Sequence, residues 1–346
     1  MKINQLTGLR FIAALAVFFS HLGWDPSESL VGRLFEQGFV GVSFFFVLSG
    51  FVLSHSYKQR LKDDTISIKS YYLLRLARVG PLHLATALPY FALLYDDNWR
   101  AIFGGVMNIL LLQSWLPHSG IYFSLNAPSW SLSNEVFFYL VFGFLVVLSD
   151  KNLLRVFFAL ALGVIFGAFW ATVSFENYVF MGSRSISHWL FYIFPLFRLL
   201  EFICGMLLYN FWYSGLAPRR SFFIISFFLL VTAMFFGAFV PEAFRYSLFY
   251  LPFICFLLFS SLRGDAFGVR WLSARWAIFL GKISFAFYLL HLNILSMIYN
   301  FYKPDEVGVV LYALISLIII AIASIAAYYL LERPAETFLR KKILVF

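Results

Sequence analysis

The chain has 346 residues, of which 62% are hydrophobic and only 12% are charged. Soluble domains carry roughly 45–50% apolar and about 25% charged residues, so this composition excludes a soluble globular protein and indicates an integral membrane protein surrounded by lipid. Basic loops on the inner side of a membrane explain the net charge of +9, and we expect no nucleic acid partner.

Ten apolar stretches are long enough to cross the ~30 Å hydrocarbon core of a bilayer. They lie near residues 6–22, 38–56, 79–95, 130–148, 153–173, 189–213, 221–239, 246–261, 283–302 and 307–331. An eleventh stretch, 101–112, is too short to span and is expected to be interfacial or re-entrant. The sequence therefore predicts an all-α bundle of about ten transmembrane helices that forms a single domain over residues 1–346, with no separate soluble domain.

The distribution of basic residues predicts the orientation of the bundle. Of the 26 Lys and Arg residues, 19 fall in the loops and tails that are inside when the N-terminus is inside, and 5 fall in the opposite loops. Cytoplasmic loops of membrane proteins carry such an excess of positive charge. Both termini are therefore predicted to be cytoplasmic.

The first apolar stretch contains two ionisable side chains, Arg10 and His21. Their spacing places them on one helix face, roughly 16 Å apart along the axis. Ionisable groups at membrane depth cost about 2.5–3.5 kcal/mol each, so a buried pair indicates a functional site. The simpler interpretation is that Arg10 snorkels to the inner interface and that His21 ends the helix at the outer one.

The fourth apolar stretch carries Glu135 about one turn below the outer surface, at the predicted depth of His21. A carboxylate and an imidazole at one level can form the proton-transfer pair that activates a hydroxyl group. Ser131 and Tyr139 are supporting candidates on the same helix. Alternatively, Glu135 is a first-turn carboxylate that the helix dipole and the hydroxyls of Ser131 and Ser133 satisfy.

Arg75 and Arg78 precede the third apolar stretch at its inner end. Residues three apart share a helix face, and two guanidinium groups placed this way suit phosphate oxygens. Together with Arg10, which lies at the same inner level, they predict a phosphate-binding site. Basic residues just inside a span are also what the topology of any membrane protein requires.

Further polar residues inside the apolar stretches are supporting candidates. Arg198 and Glu201 form a pair that can neutralise itself while buried, for which a structural role is the main expectation. Tyr288 and His291 lie near mid-membrane, where a lone histidine is more often a hydrogen-bonded core residue than a catalyst. Ser49 belongs to a run of small residues that favours close helix packing, and the alternative is a groove in which an extended ligand approaches closely. The other histidines lack metal-ligand spacing, so no metal is expected.

An inner group of arginines and an outer imidazole with a carboxylate fit a long ligand that is anionic at one end and reactive at the other. Acyl-coenzyme A (acyl-CoA), with its phosphorylated nucleotide, extended arm and thioester, has this form. The competing interpretation is a transporter or channel in which the same buried Arg, His and Glu residues line a path. The absence of a detectable internal repeat speaks against the transporter.

Seven short motifs occur in order along the chain: Arg10-x10-His21, Gly41-Val42-Ser43-Phe44-Phe45-Phe46 with Ser49-Gly50-Phe51, Arg75-x-x-Arg78 with Pro81, Trp130-Ser131-Leu132 with Glu135, Phe197-Arg198 with Glu201-Phe202, Gly281-Lys282-Ile283-Ser284 with Tyr288, and Glu332-Arg333-Pro334. The chain thereby resembles the acyltransferase-3 family of integral membrane acyltransferases over about residues 6–340. A departure is His291-Leu292-Asn293, where many relatives have a proline after the histidine.

The resemblance implies transfer of an acyl group, often acetyl, from acyl-CoA to a carbohydrate hydroxyl. It implies O-acetylation of a cell-surface or exported polysaccharide at a bacterial plasma membrane, with His21 and Glu135 as catalytic residues and Arg10, Arg75 and Arg78 on the donor. Some relatives carry an extra soluble domain that receives the acyl group. Since no such domain is predicted for this chain, we expect the acceptor to bind the membrane domain directly or through a separate protein of glycan assembly.

Overall fold

The computed structural model describes residues 3–24, 29–94, 99–175 and 185–345, without the side chains of residues 305, 306 and 345. Lys2 and Arg184, which contribute to the charge bias above, lie outside the described residues. The described chain is helical and contains no β-strand element. The prediction of an all-α protein is confirmed.

The helices coincide with the apolar stretches of the sequence. The long ones are α1 (Asn4–Phe19), α2 (Val40–Lys62), α3 (Ile68–Ala92), α4 (Trp99–Ile109), α5 (Trp130–Leu145), α6 (Asp150–Phe175), α7 (Pro195–Tyr213), α8 (Phe222–Phe236), α9 (Leu251–Ser261), α10 (Arg275–Tyr299), α11 (Val309–Ala327) and α12 (Arg333–Val345). Shorter helical segments lie at Leu30–Glu36, Gln37–Phe39, Gln113–Trp115, Ser119–Tyr122, Ala127–Ser129, Ile186–His188, Trp189–Ile193, Gly237–Phe239, Glu242–Phe244, Arg245–Phe249, Arg270–Ser273, Pro304–Val307 and Tyr328–Glu332.

Length and hydropathy identify the helices that can cross a membrane. Within the described residues there are 7 such segments: Leu30–Lys62, Asp150–Ser174, Ile186–Tyr213, Phe222–Phe239, Glu242–Ser261, Arg275–Tyr299 and Val309–Leu344. The protein is therefore a multi-pass membrane protein. The total of about ten spans and the cytoplasmic position of both termini stay predictions. Helix α4 has 11 residues and a length of about 16 Å, which is too short to span the hydrocarbon core.

The chain divides into two compact units. Unit 1 comprises Met1–Phe45, Gly215–Val240 and Phe249–Tyr329, and unit 2 comprises Phe46–Ser214, Pro241–Leu248 and Leu330–Phe346. In unit 1, α1 packs along α10, which also contacts α11, and the core includes the buried rings of Phe18 and Phe287. In unit 2, α5 packs between α3 and α7, and α12 packs on α3.

Two glycines of α2 allow helix backbones to approach each other closely, one within each unit. A Cβ atom at Gly41 would lie 2.3 Å from the carbonyl oxygen of Ala13 in unit 1. A Cβ atom at Gly50 would lie 1.9 Å from the carbonyl oxygen of Phe202 in unit 2. Real Cβ atoms do not come this near to oxygen, so glycine is required at these contacts. Close helix packing therefore explains the small residues of this segment.

Candidate active site

His21 lies two residues beyond the end of α1 in unit 1, with its ring exposed. Its Nδ1 atom is 2.8 Å from the carbonyl oxygen of Val17, one turn back along the chain. A carbonyl only accepts hydrogen bonds, so this contact requires the proton on Nδ1 and leaves the lone pair on Nε2. The local backbone therefore fixes the imidazole in the tautomer that a general base acting through Nε2 needs.

The ring of His21 packs against a second histidine of unit 1. The ring centroids of His21 and His291 are 5.2 Å apart with an interplanar angle of 60°. The ring of Tyr288 lies 5.7 Å from that of His291 and 6.0 Å from that of Phe45. Unit 1 thus brings together three of the residues selected from the sequence, and Arg10 lies half-buried in α1 of the same unit.

Arg75 and Arg78 lie inside α3 of unit 2, whereas the sequence placed them in the loop before the third span. The helix begins earlier than predicted because the side chain of Ser67 accepts a hydrogen bond from the backbone N–H of Ser70 and caps its N-terminus. From Ile68, Arg75 lies about 10 Å and Arg78 about 15 Å along the helix axis. Both arginines are half-buried.

The two arginines have different partners within unit 2. Arg75 donates a hydrogen bond of 2.6 Å to the hydroxyl of Tyr57, and its guanidinium lies 4.8 Å from the centroid of that ring. Arg78 forms ion pairs with Glu332 and, at 3.1 Å, with Glu336. The side chain of Glu332 is 2% exposed and that of Glu336 is 30% exposed. Two carboxylates therefore already oppose the charge of Arg78.

Glu135 accepts a hydrogen bond from the hydroxyl of Tyr139, one turn further along α5. The same tyrosine interacts electrostatically with Arg75 and Arg78. The sequence placed Glu135 near one membrane surface and the arginines near the other, but in unit 2 a single tyrosine links them. Ser131 donates to the carbonyl oxygen of Pro128.

Arg198 and Glu201 form the buried ion pair that their spacing predicts, with 3.0 Å between Nη1 and Oε1. Both side chains are at most 1% exposed. Arg198 also donates to the carbonyl oxygen of Tyr246 at 2.7 Å, and its guanidinium lies 5.1 Å from the ring centroid of Phe46. The two opposite charges of this pair are therefore balanced within unit 2. Ser49 lies half-buried in α2 of the same unit.

The sequence reasoning missed Tyr57, Glu336 and the carbonyl of Val17. Tyr57 and Glu336 lie far from Arg75 and Arg78 along the chain, so no local pattern reveals these contacts. The Val17 carbonyl has no sequence signal beyond its spacing of four residues from His21. Across the part of the chain that the structure describes, no three His, Cys, Asp or Glu side chains gather as a metal site does.

A family model described as an acyltransferase domain matches residues 3–329. This chain belongs to the acyltransferase-3 family. Its sequence is 31% identical over 315 residues to the acyltransferase MdmB of Streptomyces mycarofaciens, with 85% of this chain and 79% of that protein covered. This acyltransferase-3 chain is therefore a membrane acyltransferase, and the expected family is confirmed.

A second acyltransferase-3 relative is longer. The peptidoglycan O-acetyltransferase OatA of Listeria monocytogenes is 23% identical over 335 residues, which cover 85% of this chain and 50% of that protein. This chain therefore spans about half the length of OatA. No solved structure gives a significant match to this acyltransferase-3 chain.

Proposed function

We propose that the protein transfers an acyl group, in the simplest case acetyl, from cytoplasmic acyl-CoA to a hydroxyl of a cell-surface or exported carbohydrate. Membership of the acyltransferase-3 family supports the reaction type. The name of OatA, a peptidoglycan O-acetyltransferase, supports a carbohydrate-containing acceptor. The observation that carries the assignment of the base is the hydrogen bond from His21 Nδ1 to the Val17 carbonyl.

In the proposed reaction, Nε2 of His21 takes the proton of the acceptor hydroxyl as its oxygen attacks the thioester carbonyl carbon. A new C–O bond forms, the C–S bond breaks, and coenzyme A leaves as a thiolate that the imidazolium protonates. Glu135, which the sequence analysis pairs with His21, is proposed as the second catalytic residue. A general base placed in this way contributes about 10²–10⁴-fold to a rate.

Arg10, Arg75 and Arg78 are proposed to bind the phosphates of acyl-CoA. Arg75 is a stronger candidate than Arg78, because its hydrogen-bond partner Tyr57 is neutral whereas Arg78 already pairs with two carboxylates. Arg78 contributes by exchanging its more exposed partner Glu336 for a phosphate oxygen while it keeps Glu332. A bacterial plasma membrane location and proteins of glycan assembly as partners belong to the same proposal.

Release of coenzyme A tests the function. Purified protein in lipid nanodiscs is mixed with acetyl-CoA and candidate glycans, and free thiol is followed over time. We expect thiol release that depends on a glycan and a matching acetyl mass increment on that glycan. Release without a glycan product, or no release with any acyl-CoA, would exclude this donor and acceptor pair.

Replacing Arg75 with alanine is expected to raise the KM for acetyl-CoA. A hydrogen bond to a charged group contributes about 1.5–3 kcal/mol, which corresponds to roughly 10–150-fold in affinity. Initial rates at varied acetyl-CoA concentration measure the effect. The matched control is Arg155→Ala, because Arg155 is exposed and contacts only the nearby Asn152 among the hydrogen bonds of the described residues. An unchanged KM in Arg75→Ala would mean that Arg75 does not bind the donor and serves only as a basic residue on the inner side of the span.

Replacing Glu336 with glutamine is expected to lower the KM for acetyl-CoA by about 1.5–5-fold. The change removes one carboxylate that competes for Arg78, and partly exposed ion pairs contribute about 0.2–1 kcal/mol. The same kinetic assay measures it, with Glu332→Gln as the comparison. Because Glu332 is buried, its change is expected to lower the unfolding temperature instead. A KM that does not respond to Glu336→Gln would remove Arg78 from the phosphate site.

A further inference from the structure

His291 is a buried histidine in which one ring nitrogen forms a hydrogen bond within the protein. It lies in α10 of unit 1 and is 1% exposed. Its Nδ1 atom is 2.5 Å from the carbonyl oxygen of Tyr288, three residues back along the helix. The carbonyl only accepts, so Nδ1 carries the proton and Nε2 presents a lone pair.

The Nε2 atom of His291 has no hydrogen-bond partner within residues 3–24, 29–94, 99–175 and 185–345. The large majority of buried polar atoms in proteins do have a partner, because an unpaired buried acceptor retains its full desolvation cost. A buried acceptor without a partner in the protein is open to a hydrogen-bond donor that a bound molecule supplies.

The position of His291 indicates which ligand this is. Its ring packs edge-on against the ring of His21, with 5.2 Å between the centroids. The buried His83 of unit 2 also has one unpartnered ring nitrogen among the described residues, but its Nε2 atom bonds to the carbonyl oxygen of Asn108 instead. His291 is thus distinguished by its contact with the imidazole that we assign as the base.

We propose that His291 is a substrate-binding residue whose Nε2 atom accepts a hydrogen bond from a neutral donor group of the substrate held at His21. This rests on the proposed function. A carbohydrate supplies such a group, because the hydroxyl next to the reacting one donates to His291 while the reacting hydroxyl donates to His21. The preferred acceptor is then a sugar with two neighbouring hydroxyls. An amide N–H of the pantetheine arm offers the same donor chemistry from the other substrate.

Two substitutions separate the role of each ring nitrogen. In His291→Asn, the side-chain amide can replace the Nδ1 donor to Tyr288, but nothing occupies the position of Nε2. In His291→Gln, the amide oxygen can occupy the Nε2 position. We expect His291→Asn to reduce transfer about tenfold or more at subsaturating acceptor, and His291→Gln to retain more activity than His291→Asn. The unfolding temperature of both variants is measured alongside, and transfer rates are compared for folded protein.

The matched control is His83→Gln, which likewise removes an unpartnered nitrogen and keeps a group at the bonded one. Its transfer rate is expected to be that of the wild type. The two substrate sources are distinguished by kinetics with purified protein. If His291→Asn raises the KM for the acceptor, or if its rate does not change when the neighbouring hydroxyl is deleted from the acceptor, the donor group belongs to the sugar. If His291→Asn raises the KM for acetyl-CoA, the donor group is the pantetheine amide.

The proposal is overturned if His291→Asn transfers at the wild-type rate, or if His291→Gln is no more active than His291→Asn. Acylation of glycans in intact cells, measured by mass spectrometry for the same variants, does not depend on the identity of the donor. A wild-type protein that acylates glycans in cells but does not use acetyl-CoA in vitro would therefore exclude acetyl-CoA as the donor, and the comparison of the His291 variants in cells would still test this proposal.

Discussion

Replacing His21 with alanine is expected to reduce acyl transfer by about 10²–10⁴-fold, the usual contribution of a general base. Nε2 of His21 takes the proton of the acceptor hydroxyl in the proposed mechanism, and alanine offers no substitute. The fold should tolerate the change, because the ring is exposed and its hydrogen bond to Val17 is local. Initial rates of thiol release, together with the unfolding temperature, measure both effects.

His118 provides the matched control for His21. Its Nδ1 atom also bonds to a nearby backbone group, the N–H of Gly120 at 3.1 Å. We expect His118→Ala to keep the wild-type rate. If folded His21→Ala protein transferred acyl groups as fast as the wild type, the assignment of the base would be wrong.

Replacing Arg198 with methionine is expected to destabilise the protein by about 3–5 kcal/mol, because it leaves the buried carboxylate of Glu201 without its cation. Arg198 is fully buried, so water cannot replace the lost partner. The unfolding temperature in detergent should fall strongly. The double substitution Arg198→Met with Glu201→Leu should recover most of the loss, because apolar residues of similar size replace a buried ion pair at little cost.

Activity of this double variant separates structure from function. A stable and active double variant is expected, since the pair neutralises itself within unit 2. A stable protein that fails to transfer acyl groups would instead assign the pair a direct part in the reaction. A single Arg198→Met variant as stable as the wild type would contradict the buried pairing itself.

The apolar pattern predicts most of the helices because lipid imposes a length and a composition on any spanning segment. The boundaries are less predictable, since they depend on caps that hydropathy does not register. Ser67 illustrates this, because its hydroxyl starts α3 about eleven residues before the apolar stretch begins at residue 79. The small residues of the sequence predict that helices pack closely, but the sequence does not show which helix is the partner. The contact of Gly41 with Ala13 is an example.

The site is predictable where its partners are local in the chain. The ion pair of Arg198 with Glu201 is three residues apart and follows directly from helix geometry. The partner of Arg78 is not predictable in this way, because Glu332 lies 254 residues further along the chain. The surplus of arginine near the predicted inner mouth is visible in the sequence, but whether a carboxylate already holds each charge is a property of the fold.

The most direct test of the account is mass spectrometry of surface glycans from cells that lack the protein and are complemented with the wild type or with His21→Ala. The account predicts an acyl mass increment on a sugar hydroxyl that appears with the wild type and is lost in both other strains. An increment of equal size in the cells without the protein, or in those with His21→Ala, would contradict it.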